Sequence, residues 1–210
     1  MSLIENLKSY SEGIKISSNK NQLLNSFFEK GFPTIQDEEW KYTSLKKLIS
    51  EDYSIEKNGS ILSDVDISNH SLGFEKKIVF SDGKLIATPK MEGITFSDFS
   101  DFECSTSDTF LQLSSALANN GFTIKVDSNI VVDGVIEILF FTTTENSFNQ
   151  YRNQIIIGDN AEVKFVEKIQ NLSTSTSFVN HFTQIKCGKN TNVEYNKIQN
   201  NTENAKLIDT

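Results

Sequence analysis

Two histidines and two cysteines are the soft metal ligands of this 210-residue chain. One pair could act together. His181 and Cys187 lie six positions apart in SFVNHFTQIKC, an alternating stretch. In a regular strand both would project from one face. An imidazole and a thiolate on one face could begin a metal or cluster site, but such a site takes three or four ligands. No further soft ligand lies near them in sequence. The reading that follows is a hydrogen-bonded histidine and a packed thiol.

The other candidates are weaker. Cys104, in DFECSTSD, precedes a predicted helix, whose N-terminus can lower a thiol pKa; an ordinary surface or packed thiol is expected. His70, in SNHSLG, reads as loop. The acidic run Asp37-Glu38-Glu39 fits the start of a short helix or a solvated turn. Trp40 and Tyr42 are expected to anchor the helical region on the rest of the chain, since aromatic side chains are chiefly packing payload. Cys104 and Cys187 show no CxxC and no Cys–His spacing suited to zinc. The chain contains no G-x-S-x-G elbow and no G-x-x-x-x-G-K-[ST] phosphate loop. No catalytic, cofactor-binding or metal-binding residue is therefore expected.

Composition narrows the classes. The net charge is −8 and the pI about 4.9, against the basic face that a phosphate backbone requires. Sixteen Phe against one Trp and two Met predict a Phe-rich core. MSLIENLKSY lacks the basic region and apolar run of a signal peptide. The longest apolar stretch, Val135–Phe141, contains Glu137 and is far short of the roughly 20 residues of a membrane helix. A cytoplasmic protein with reduced thiols is expected, with neither membrane nor nucleic acid as partner. The sequons at Asn171 and Asn200 then read as chance matches.

The first fifty residues read as helical. Leu23, Leu24, Phe27 and Phe28 make one apolar stripe; Ser17, Ser18 or Asn19 could cap it, and Gly31 and Pro33 end it. A short helix is expected at Ser44–Ile49, with Leu45, Leu48 and Ile49 inward. Asp82-Gly83 between Ile78–Phe80 and Leu85–Ala87 signals a hairpin. Another helix is expected at Asp108–Asn119, capped by Ser107, with Phe110, Leu113, Ala116 and Leu117 buried and Gly121 beyond its end. After Gly121 only strands are expected: Phe122–Val126, Val135–Thr142, Gln154–Ile157, Val163–Glu167, Phe178–Cys187 and Val193–Ile198.

Two of these stretches repeat. QIIIGDNAEVKF at Gln154–Phe165 aligns without a gap on QIKCGKNTNVEY at Gln184–Tyr195. A looser copy spans Ile124–Ile138, with Asp127-Ser128-Asn129 at its turn. The repeat is compatible with a β-solenoid or a β-sandwich. Stacking would place Val163 and Phe165 over Val193 and Tyr195, and Gly158 and Gly188 would supply positive φ at the corners. Asp159 and Glu162 meet Lys189 and Asn192 across the repeat, so no acidic ladder of the kind used by β-helix polysaccharide lyases or hydrolases forms. Nothing after Ile198 reads as a cap, so the open end is expected to continue or to meet a partner.

Several segments together resemble the SufD family of the SUF iron–sulfur cluster assembly system. DEEWKYTSLKKL at Asp37–Leu48 resembles its N-terminal E-x-W-[RK]-Y-T-x-L signature, and IVFSDGKL at Ile78–Leu85 its strand ending in dG. DTFLQLSSALANNGFTIKV resembles its D-x-F-x-x-L-x-x-A-L-x-x-x-G-x-x-I stretch. RNQIIIGDNAEVKFVEKIQ and VNHFTQIKCGKNTNVEYNKIQN resemble its first coils. EEWKYTSL favours SufD over the related SufB. The resemblance implies a mainly β chain: a right-handed parallel β-helix start at 121–210, preceded by a partly helical α+β N-terminal domain at 1–120. It implies a non-catalytic scaffold with a SufB-like partner and a SufC-like ATPase partner. Family members are longer, so the resemblance implies a truncated chain whose cluster-handling positions lie beyond Thr210, with no cofactor bound by this fragment. The other readings carried are a β-helix polysaccharide-active enzyme and a module that self-associates through its open end.

Overall fold

The computed structural model describes residues 2–55, 62–98, 107–118 and 120–210. Helix α1 (Leu3–Gly13) starts on a capping box: the Ser2 hydroxyl accepts the Glu5 N–H while the Glu5 carboxylate accepts the Ser2 N–H. Helix α2 (Ser18–Lys30) buries Leu24 and Phe27 and ends at Gly31, where φ is +72°. A single 3-10 turn at Glu38–Trp40 leads to α3 (Lys46–Ser50), with Leu45 and Leu48 buried. Helix α4 (Asp64–His70) is a short capped helix for which the sequence offers no clear signal, and His70, expected in a loop, closes it. Helix α5 (Thr109–Leu117) is buried from Phe110 to Leu117. Its cap is Asp108, whose carboxylate accepts the Leu111 N–H at 2.7 Å, rather than Ser107. A carboxylate suits that place because it also faces the positive end of the helix dipole.

The chain is mainly β. Strands β1 (Lys76–Ser81) and β2 (Lys84–Ala87) form the expected hairpin, with Asp82 and Gly83 at φ of +45° and +83°. The others are β3 (Ile94–Asp98), β4 (Phe122–Val126), β5 (Val131–Thr142), β6 (Phe148–Ile157), β7 (Glu162–Asn171), β8 (Ser177–Cys187), β9 (Asn192–Asn200) and β10 (Ala205–Asp209). From β4 onward successive strands alternate between two five-stranded sheets, ordered β2-β1-β5-β7-β9 and β3-β4-β6-β8-β10. Antiparallel pairing among these strands is confined to β1–β2 and β3–β4; the remaining strand pairs are parallel.

The repeat seen in sequence is this pairing. Gln154 lies beside Gln184 and Ile155 beside Ile185, while Val163 lies beside Val193 and Phe165 beside Tyr195. The looser first copy also stacks: Asn160 donates to Asn129 at 3.0 Å, and Asn190 donates to Asn160 at 3.2 Å. These three asparagines, not the glycines, carry the positive φ at the corners, +64°, +57° and +55°. Gly158 and Gly188 serve close approach instead. A Cβ on Gly158 would stand 2.5 Å from the Ser128 nitrogen.

Three apolar clusters follow. Between the sheets, Phe80 stacks on Phe140 with centroids 5.0 Å apart, among Ile78, Phe122, Ile138 and Phe165. On the outer face of the β4-β6-β8 sheet, Phe148 and Phe178 meet α1, α2 and α5 through Leu7, Phe27 and Phe110. On the outer face of the other sheet, Val79, Leu139 and Phe141 meet Ile67 of α4. Each fully buried Phe contributes about 2–3 kcal/mol of transfer free energy. No helix among the described residues is long and apolar enough to cross a membrane.

Candidate functional site: a charged cluster between the sheets

Strand alternation decides what enters the space between the sheets. On β7 the inward positions run Val163, Phe165, Glu167, Ile169, and on β9 they run Val193, Tyr195, Lys197. On the facing sheet Asn153 of β6, His181 of β8 and Asp209 of β10 point the same way. Register then sets the contacts. Lys197 lies beside Glu167, which lies beside Ile138; Asp209 lies beside His181, which lies beside Tyr151. The apolar core of the earlier strands therefore gives way, strand by strand, to charge.

The cluster is tightly connected. Lys197 Nζ stands 3.0 Å from Glu167 Oε1 and 2.6 Å from Asp209 Oδ1. His181 Nδ1 lies 3.2 Å from the same Asp209 oxygen, and its Nε2 lies 3.0 Å from Asn153 Nδ2 and 3.7 Å from Glu167 Oε1. The Tyr195 hydroxyl donates to Glu167 Oε2. The side chains of Glu167 and His181 are fully buried, while those of Lys197 and Asp209 remain partly open. The His181 ring meets the Phe140 ring edge-on at 4.9 Å.

Charge in so dry a place must be paired. Burial pushes the Tyr195 hydroxyl well up, and the Glu167 carboxylate beside it pushes further the same way. Burial alone would raise Asp209; hydrogen bonds from His181 and Lys197 outweigh it and hold the carboxyl below its ordinary range. Among the described residues no group of three or more His, Cys, Asp and Glu is placed to hold a metal ion. In this cluster the Lys197 ammonium already occupies the space between the two carboxylates. Its chemistry is that of an internal ion network which ties five strands together.

The residues singled out in the sequence fall differently. His181 is buried and hydrogen-bonded. Cys187, on the same strand, is exposed rather than packed, because it sits at the end of β8 where the inner face opens. Cys104 lies outside the described residues. His70 closes α4, its ring edge-on to Phe141 at 6.0 Å, so it is not in a loop. Trp40 packs on Phe110 at 5.3 Å, as an anchor should. Tyr42 does not: it is 93 % exposed. Asp37 accepts the Thr34 N–H at 2.6 Å, and Glu38 and Glu39 open the 3-10 turn. Asp159 accepts the Lys189 N–H, a turn contact, and Glu162 begins β7 half-buried.

Glu167, Lys197 and Asp209 were missed as a group. A signal was present: Glu167 and Lys197 follow Phe165 and Tyr195 by two positions, so they share the inward face of the repeat.

Comparison with protein families gives a match to the SUF system FeS cluster assembly, SufBD core domain, over residues 140–210. These residues run from the end of β5 through β10 and include the whole cluster. A search of curated proteins found no match. The matched segment is thus similar to the core domain shared by SufB and SufD, without separating the two, and it supports a role in SUF-type iron–sulfur cluster assembly.

Proposed function

We propose that this chain is a SufD-type, non-catalytic scaffold subunit of the SUF assembly machinery. Its paired strands would be the first coils of a parallel β-helix, right-handed as the resemblance implies. The observation that carries this reading is the coincidence of the 140–210 match with the strands that stack at an offset of about thirty residues. The N-terminal EEWKYTSL segment favours SufD over SufB. Stacked parallel strands give rigidity, which suits a subunit that holds partners in place. On this reading a SufB-type protein and a SufC-type ATPase are the partners, the setting is cytoplasmic, and no cofactor resides on these residues.

Co-expression with a SufB-type and a SufC-type protein tests the proposal. Co-elution of the three as one species is expected. Elution of this chain alone, while the other two bind each other, would overturn it. A second reading, self-association, is favoured by the edge positions of β9 and β10. Sedimentation at several concentrations decides that one: a strict monomer removes it.

A further inference from the structure

Helix α4 covers a sheet face that it scarcely enters. Val79, Leu139 and Phe141 beneath it are buried, each exposed by 1 % or less, yet none of the described side chains of α4 itself is buried. Ile67 reaches down to this apolar row, with Leu62 before the helix and Leu172 after β7. The helix has seven residues, too few to hold its shape without a seat, since isolated helices shorter than about 12 residues are marginal in water. Its capping box, between Ser63 and Asp66, is internal and ties it to no other element.

Three hydrogen bonds seat it, and all lie at its C-terminal end. Lys168 Nζ of β7 donates to the His70 carbonyl at 2.5 Å, one of the carbonyls that a helix end leaves without an internal partner. Glu137 of β5 takes the next two residues: its Oε2 accepts the Ser71 hydroxyl at 2.7 Å, and its Oε1 accepts the Leu72 N–H at 2.6 Å. Glu137 is fully buried there. Strand alternation turns it to the same outer face as Leu139 and Phe141. Gly73 follows with φ at +92°, a conformation open to glycine, and the chain turns there toward β1.

We propose that residues 62–72 form a strap, latched by Glu137, which lifts from the β1-β5-β7 face as one unit while both sheets stay folded. Lifting breaks no strand pairing. The three hydrogen bonds at the helix end pass to water, and Gly73 is the hinge. What lifting uncovers is contiguous: Val79 is the register neighbour of Leu139, and Phe141 lies one outward position further along β5. Burial of these three side chains keeps the strap closed most of the time. The open form is a minor population reached by local rather than global unfolding.

Thiol labelling of the full chain gives the test, with C104S and C187S in place so that only an introduced cysteine reacts. V79C puts a thiol under the strap. I138C puts one on the opposite face of β5, in the core between the sheets, where it reports unfolding of the sheets themselves. With a small thiol reagent at neutral pH, V79C is expected to react at least about tenfold faster than I138C. E137Q removes the charge from two hydrogen bonds, and S71D sets a second carboxylate against Glu137. Each should speed V79C labelling by about tenfold or more and leave I138C labelling unchanged. Equal rates at the two positions would overturn the proposal, and so would latch variants that speed both thiols alike or neither. Amide exchange of the unaltered chain adds a readout that needs no variant to fold. Exchange at Ser71 and Leu72 should depend less steeply on denaturant than exchange in β5; equal dependence also overturns the strap.

Discussion

Asp159 and Gly188 touch across one step of the stack: a Cβ built on Gly188 would stand 2.4 Å from Asp159 Oδ1, and that oxygen accepts the N–H of the next residue, Lys189, at 2.7 Å. The close approach leaves no room for a side chain. Gly158 meets backbone more closely: a Cβ there would stand 2.5 Å from the Ser128 nitrogen, with the Ser128 hydroxyl at 2.7 Å and the Asp127 carbonyl carbon at 2.8 Å, whereas the nearest backbone atom at Gly188 is the Asp159 nitrogen at 2.8 Å. Backbone cannot swing aside as a side chain can. Gly158→Ala is therefore expected to cost about 1–3 kcal/mol, as overpacking does. Gly188→Ala should cost less, because its nearest backbone atom lies at 2.8 Å rather than 2.5 Å and its closest clash is with a side-chain oxygen. Thermal melting of the two variants checks the order; equal and negligible losses would show that the corners do not stack this closely.

Tyr53 carries a second expectation. Its ring packs against Phe148 and Phe178, at 6.4 and 5.9 Å, while its hydroxyl is buried without a hydrogen bond. Burial, then the nearby Glu51 carboxylate, push the phenol up to about 12. A raised value means that the folded state prefers the neutral form. The associated stability is complete below the ordinary phenol value of 10.0 and is lost as pH rises toward 12. Tyr53→Phe keeps the ring and removes the orphaned hydroxyl, so it should gain about 1 kcal/mol at neutral pH. It should also remove part of the alkaline sensitivity. Denaturant unfolding at neutral and alkaline pH measures both, and a clear loss at neutral pH would mean that the hydroxyl has a partner.

These cases show where sequence was informative. The stack was legible because like residues recur at one spacing: Gln154 and Gln184, Val163 and Val193, Phe165 and Tyr195. The hairpin was legible because Asp82-Gly83 states its own backbone geometry. The corners were misassigned between glycine and asparagine, since Gly158 and Asn160 both tolerate positive φ and only three-dimensional crowding tells which must lack a Cβ. Helix α4 escaped notice because it is short and its burial depends on a sheet face formed far along the chain. The charged cluster was illegible for the same reason. Glu167 and Lys197 are neighbours only through parallel pairing, and His181 meets them only because two sheets face each other. Nothing local in Ala205–Asp209 announces that Asp209 closes the network.

Asp209 responds to acid. Its carboxyl is held below its ordinary value by His181 and Lys197, against the effect of burial. A depressed carboxyl contributes stability that is complete above the ordinary value of 3.8 and is lost as pH falls through the lower, folded value. Asp209→Asn keeps the shape and removes the charge. It should cost about 1–2 kcal/mol near neutral pH, in the range of a hydrogen bond to a charged group. The difference from wild type should then shrink as pH drops below 3.8. Unfolding by denaturant across that interval tests the sign; a difference that grows in acid would contradict it.

Val163 and Val193 test the core itself. They are neighbours in register, yet Val163 is fully buried and Val193, on the edge strand β9, is half-buried. A carboxylate at 163 would have no partner among Ile136, Phe165 and Val193, whereas one at 193 could reach solvent past the edge. Val163→Asp is thus expected to lose roughly 4 kcal/mol or more, enough to threaten folding of a marginally stable chain. Val193→Asp should lose about 1–2 kcal/mol. Melting of each variant, with Val163→Ala as a foldable control costing about 2–3 kcal/mol through its cavity, separates the two positions. Equal effects at 163 and 193 would mean that the edge strand is covered as fully as the strand beneath it. A covered edge would in turn favour the self-associating reading, because the described chain itself places nothing beyond β9.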